Sequence, residues 1–134
     1  MRIGILAERT GTSVATIRYY EEIGLLRPAR RQSGGQRAYD NEDVRRLSFV
    51  RRCREFGFPL SDVRSLVSLS GDRSAPCVNA RDLARTNLDS IRRKLNELKS
   101  LERAIAAMVD ACDASCAGGP ATACNIFTDL AASR

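Results

Sequence analysis

Five cysteines and no histidine set the chemistry open to this 134-residue chain. Four of the thiols fall in its second half, at Cys77, Cys112, Cys116 and Cys124. Without imidazole, any transition-metal site must be built from thiolates, with carboxylates as the only other charged ligands. Such a set suits soft divalent ions, Hg(II), Cd(II) or Pb(II), and also admits Zn(II). The same lack of histidine removes the ordinary Cys–His nucleophilic pair, and no acid–base constellation emerges. The chain therefore reads as a binding protein and not as an enzyme. Cys53 stands apart from the other four and reads as a small apolar residue inside a helix.

A second set of residues is cationic. The net charge is +6, and its surplus lies in residues 1–68, where thirteen arginines face eight acidic residues; residues 69–134 hold nine basic against eight acidic. Clustered arginine suits a polyanion, because each phosphate neutralised releases counterions and adds sequence-independent affinity. Tyr19, Tyr20 and Tyr39 add hydroxyls able to donate to phosphate oxygens. Double-stranded DNA is the expected partner.

These residues need elements to hold them. Ile3, Leu6 and Ala7 mark a short helix broken by Gly11, and Ser13 then caps a second, VATIRYYEEIG. Val14, Ile17 and part of Tyr20 form its inner face, leaving Thr16, Arg18 and Tyr19 outward. This is the helix-turn-helix plan, whose second helix enters a major groove. Gly34-Gly35 between basic arms predicts a hairpin wing from which Arg27, Arg30, Arg31 and Arg37 project. Asp40 caps a third helix ending at Gly57, and Ser61 opens a fourth after Pro59. The whole is expected to be mainly α. Residues 1–70 make a winged helix-turn-helix DNA-binding domain and 71–77 a breaker-rich hinge. Residues 78–112 form a dimerisation helix, and 113–134 a metal-binding loop with a short C-terminal helix carrying Ile126, Phe127 and Leu130 on one side.

From Val78 to Cys112 there is no Gly or Pro, and a seven-residue repeat runs through it: Ala84, Ile91, Leu98, Ile105 and Cys112, interleaved with Leu88, Leu95, Glu102 and Val109. Only Glu102 is a misfit. A helix of this length is about 52 Å long and too long to bury its stripe against so small a remainder. It needs a second helix, and a homodimer supplies one. Cys77 and Cys112, at opposite ends of it, cannot share an ion within one chain. In an antiparallel coil Cys77 of one subunit approaches Cys112, Cys116 and Cys124 of the other, giving two bridging sites. The Gly118-Gly119-Pro120 turn folds Cys124 back toward Cys112, and Cys116, one helical turn beyond Cys112, is a candidate fourth thiolate.

TIRYYEEIGLL, the wing segment GGQRAYD and DVRRLSFVRRCREFGFPLSDVRSL together resemble the DNA-binding region of the MerR family of bacterial transcription regulators, and the likeness extends over nearly the whole chain. The resemblance implies a homodimer on a two-fold symmetric promoter, with Thr16, Arg18 and Tyr19 at the groove and Tyr20, Arg37 and Tyr39 on the DNA backbone. It implies activation by twisting and bending an overlong promoter spacer for RNA polymerase when an effector binds. Cys77, Cys112 and Cys124 fall where the family's mercury regulators have their three thiolates. The loop from Cys112 to Cys124 is a few residues longer than theirs, and Cys116 is an addition. The copper-sensing relatives have Ser at the position of Cys77, which favours a divalent ion, and zinc sensors commonly recruit a loop histidine.

The alternatives within the family are an iron–sulfur redox sensor and a Cu(I) sensor. A cluster needs four cysteines, usually closely spaced, and the tail offers three. A drug sensor would need a larger C-terminal ligand domain than this chain has. No apolar run approaches the roughly 20 residues that cross a bilayer. The start, MRIGILAERTG, has no signal-peptide pattern. A cytoplasmic protein with no membrane partner is expected.

Overall fold

The computed structural model describes residues 1–31 and 37–132, with the backbone alone described at 30, 31 and 37. Two compact units, Met1–Asn87 and Leu88–Arg134, make up the chain. In the first, α1 (Ile3–Thr10) and α2 (Val14–Glu22) are joined by a turn that depends on Gly11. Its φ of 63° is left-handed, and its N–H closes α1 onto the Ala7 carbonyl. A Cβ added there would also meet Arg51 Nη1 at 2.6 Å. Ser13 starts α2 as expected, its Oγ accepting from the Thr16 N–H at 3.1 Å.

The wing is an antiparallel pair, β1 (Arg30–Arg31) with β2 (Arg37–Ala38), in which Arg30 faces Ala38 and Arg31 faces Arg37. The expected Gly34-Gly35 turn lies outside the described residues. The chain start is tied to the strand's exit: the Met1 ammonium donates to the Tyr39 carbonyl at 2.6 Å, and the Tyr39 N–H donates to the Met1 carbonyl at 2.8 Å. Asp40 caps α3 (Asn41–Glu55) in a reciprocal box with Asp43. α4 (Leu60–Ser70) starts before Ser61, because Pro59 takes the capping position with its φ preset and its carbonyl accepting the first helical bond from Val63 at 2.9 Å.

The neighbours Leu25 and Leu26 are divided between two cores. Leu26 joins Leu6, Ile17, Tyr39 and Leu47, while Leu25 joins Val50, Cys53 and Val63. Tyr20 packs against both clusters, so α2 is held from two sides.

α5 (Cys77–Ser115) takes in Cys77 and runs three residues past Cys112. Asn87 is its buried residue among those described, and its Nδ2 donates to the carbonyl of Phe56, the C-cap of α3, at 2.9 Å. Beyond it, Leu88, Ile91, Leu95, Leu98, Leu101, Ile105 and Val109 are all 43–62% exposed in the single chain. After Ser115 the chain turns through a 3-10 segment, Ala121–Ala123, into α6 (Asn125–Ala131). None of the described helices is long and apolar enough to cross a membrane.

Candidate DNA-reading face and thiol centre

α2 presents Arg18 and Tyr19 to solvent, the latter 48% exposed. Arg18 has no ion-pair or hydrogen-bond partner among the described residues, as suits a group awaiting an anion. Thr16 is half-buried in the cap, where its Oγ1 accepts from the Ser13 hydroxyl at 2.8 Å. Tyr20, also half-buried, leans its ring against Tyr19 with centroids 6.1 Å apart. Tyr39 is placed in the core, only 4% exposed, and its hydroxyl donates to the Glu21 carboxylate. Arg37's side chain lies outside the described residues.

Many of the arginines serve the fold itself. Arg27, expected to project from the wing, turns instead to the start of α3. Its Nη2 donates to both Asp40 oxygens at 2.7 and 2.8 Å, and its Nε donates to Asp43 Oδ1 at 3.1 Å. The physical reason is local: the capping box places two carboxylates at the foot of the wing, and Asp43, 7% exposed, requires a cation at that depth. The Asp43 N–H, followed by Arg27, holds the Asp40 carboxyl down at about 2. Arg51 Nη1 donates to the Thr10 carbonyl at 3.0 Å, Arg54 Nη1 to Phe58 at 2.8 Å, and Arg64 Nη2 to the Ile23 carbonyl. These carbonyls lie at or just past helix C-termini, where a cation also meets the negative end of the helix dipole. Charge count alone signals none of this, since each bond joins groups from separate turns or elements.

Three thiols converge in the second unit. Cys112 Sγ is 3.9 Å from Cys124 Sγ and 3.6 Å from Cys116 Sγ, and all three sulfurs lie within 4.8 Å of one another. All are free and half-buried. The last turn of α5 positions Cys112 and Cys116, the N–H of Cys116 donating to the Cys112 carbonyl at 2.9 Å. The turn at Gly118-Gly119 then reverses the chain, with the Gly119 N–H on the Cys116 carbonyl at 2.9 Å. Asn125, which the sequence reading passed over, pins the return: its Nδ2 donates to the Met108 carbonyl, and its Oδ1 accepts from the Cys116 thiol, each at 3.2 Å. Its signal in the sequence was adjacency to Cys124 alone.

The sulfurs influence one another. Neighbouring Cys116, then Cys124, push the Cys112 thiol up to about 11. The backbone N–H of Asn125 at the Cys116 sulfur, followed by its bond with Cys112, pulls Cys116 below the ordinary thiol range. A donor set of three soft, deprotonatable sulfurs at this spacing fits a thiophilic cation. Cys77 opens α5 and is exposed, and Cys53 is buried among Leu25, Val50 and Val63, where burial pushes its thiol up.

Residues 1–69 match the family described as MerR HTH family regulatory protein, and residues 44–108 match that described as MerR, DNA binding. The HTH-type transcriptional regulator HmrR of Rhizobium leguminosarum bv. viciae is 43% identical over 112 residues, covering 84% of this chain and 86% of that protein. The transcription regulator PbrR691 from Ralstonia metallidurans CH34, in complex with lead(II), has a similar structure: TM-score 0.82 at 34% identity, over 98% of this chain and 99% of that one. The dual function regulator MerR of Bacillus megaterium MB1, in complex with mercury(II), aligns with TM-score 0.71 at 28% identity, over 97% and 98%.

Proposed function

Because this chain belongs to the MerR HTH family of regulatory proteins, we propose that it is a metal-responsive transcription regulator that works as a homodimer on two-fold symmetric promoter DNA. The chain binds and signals; it carries out no catalysis. The observation that carries the metal half of this reading is the trio Cys112, Cys116 and Cys124, whose sulfurs lie within 4.8 Å of one another. The effector is a soft divalent ion of the group Hg(II), Pb(II), Cd(II) and Zn(II). The first two are the ions bound by the two solved relatives.

On the DNA side, Arg18 and Tyr19 are exposed on α2 and enter the major groove, with Thr16 at its edge. Tyr20 and Arg37 steady the DNA backbone, while Tyr39, expected there from the sequence, is instead buried in the core with its hydroxyl on Glu21 and supports the foot of the wing from within. The exposed apolar seam of α5 meets its counterpart in an antiparallel coil, which sets the spacing of the two recognition helices. That arrangement carries Cys77 of one subunit toward the other's tail thiols. With ion bound, the dimer twists and bends the promoter spacer so that RNA polymerase engages both promoter elements. Such a protein works in the cytoplasm.

In vitro transcription from the cognate promoter, titrated with Hg(II), Cd(II), Pb(II), Zn(II) and Cu(I), tests the proposal. We expect activation by one or more of the divalent ions and its loss in Cys112→Ser. No response to any ion, or a full response in the doubly substituted Cys77→Ser, Cys112→Ser protein, would sink it.

A further inference from the structure

We infer that Asn125 is a positioning residue of the thiol centre: it holds the Cys116 sulfur in the ligand set, so that this added thiol is a donor to the ion and not a bystander, whatever a second subunit contributes to the same ion. The inference rests on reading the tail as a metal centre and names the residue that decides one of its ligands.

Cys116 is the thiol that needs positioning. It lies just past Ser115, the last residue of α5, where a helix end frays. A cysteine side chain has three staggered positions for its sulfur, and a fraying end does not select among them. The Cys116 sulfur nevertheless stands 3.6 Å from Cys112 Sγ. With metal–sulfur bonds of about 2.3 Å, two sulfurs on one ion stand about 3.8–4 Å apart. Cys116 is therefore held close to a ligand's distance from its neighbour.

The Asn125 carboxamide makes that selection. Its Oδ1 accepts from the Cys116 thiol at 3.2 Å, and its Nδ2 donates to the Met108 carbonyl, also at 3.2 Å. Met108, Cys112 and Cys116 follow one another at one-turn intervals along a single stripe. A helical carbonyl points toward the C-terminus and a side chain leans back toward the N-terminus. The Met108 oxygen and the Cys116 sulfur thus approach each other beside Cys112, and one amide reaches both.

The backbone N–H of Asn125 also meets the Cys116 sulfur. A metal-bound thiolate accepts hydrogen bonds and has none to donate, so this N–H is the contact suited to the loaded site. The Met108 bond, made across 17 residues of chain, fixes where that N–H stands. Hydrogen-bond partners of this kind orient a metal's ligands, and their loss costs about ten- to a hundredfold in metal affinity.

The test is a double-mutant cycle on the full-length protein: wild type, Asn125→Ala, Cys116→Ser and the two combined. Pb(II) and Cd(II) uptake is followed by competition with a chromophoric chelator and by thiolate-to-metal absorbance at saturation. Operator binding by the metal-free proteins, expected to equal that of wild type in all three variants, checks that each is folded. Asn125→Ala should weaken uptake by about ten- to a hundredfold. At saturating ion its absorbance should fall to that of Cys116→Ser, which loss of loop stability alone would not produce. Added to Cys116→Ser, it should cost less than about threefold more, because two residues that act through one contact are not additive. If Cys116→Ser leaves uptake unchanged, if Asn125→Ala keeps the wild-type absorbance at saturation, or if it weakens uptake equally in both backgrounds, this inference is overturned and the metal-sensor reading stands. If wild type takes up neither ion, the metal-sensor reading falls and this inference with it.

Discussion

Arg27 and Arg18 are both arginines of the basic first half, yet their surroundings assign them opposite work. Arg27 is held by Asp40 and Asp43, which leaves its guanidinium little capacity for a phosphate. Arg18 is exposed and unpaired among the described residues. Arg27→Ala should therefore lower the thermal midpoint, because Asp43 loses its cation, and should leave the salt dependence of operator binding unchanged. Arg18→Ala should do the reverse: an unchanged midpoint, with the slope of log K against log salt reduced by about 0.9 for each phosphate contact removed. Salt titrations and melting curves on the two variants decide the matter. A reduced slope in Arg27→Ala would return that residue to the DNA.

At the scale of elements, the junction of α5 with α3 turns on one polar bond. Asn87 is the buried residue of α5 among those described, and it reaches the exposed C-cap of α3 through the Phe56 carbonyl. Asn87→Ala removes that donor at a cost of about 0.5–1.5 kcal/mol, since water can reach the exposed carbonyl it leaves. Urea unfolding with an unchanged m-value should read this as a lower midpoint. Because α3 lies in the DNA-binding unit, the variant should also blunt metal-induced activation while metal uptake stays as in wild type. Full activation would confine Asn87 to a structural role.

For the whole molecule, the single chain is an incomplete object. Seven large apolar side chains of α5, from Leu88 to Val109, remain between 43% and 62% exposed. A continuous apolar stripe of this kind marks an interface. Leu101, outside the heptad positions, is 57% exposed beside the misfit Glu102 and supplies apolar surface where the repeat falters. Leu98→Glu, placing a charge in the middle of the seam, should raise the dimer dissociation constant by at least about a hundredfold. Sedimentation should then show monomers at micromolar concentration, and operator affinity should fall with the loss of the second recognition helix. A variant that remains dimeric would place the interface elsewhere.

The sequence alone determined the helix-turn-helix, the wing, the long heptad helix and the thiolate chemistry. Caps such as Ser13 and Asp40, the break at Gly11 and the heptad spacing act over a few residues, and ligand softness belongs to the residue type itself. Tertiary structure decided which of those residues are free to act. Arg27 meets Asp43 across 16 residues, Tyr39 meets Glu21 across 18, and Asn87 meets Phe56 across 31. Such pairings depend on how elements pack, which neither periodicity nor charge count encodes. The same holds for the tail: the sequence supplied three thiols and a turn, and only the folded loop, pinned by Asn125, brought their sulfurs to the separation of ligands around one ion.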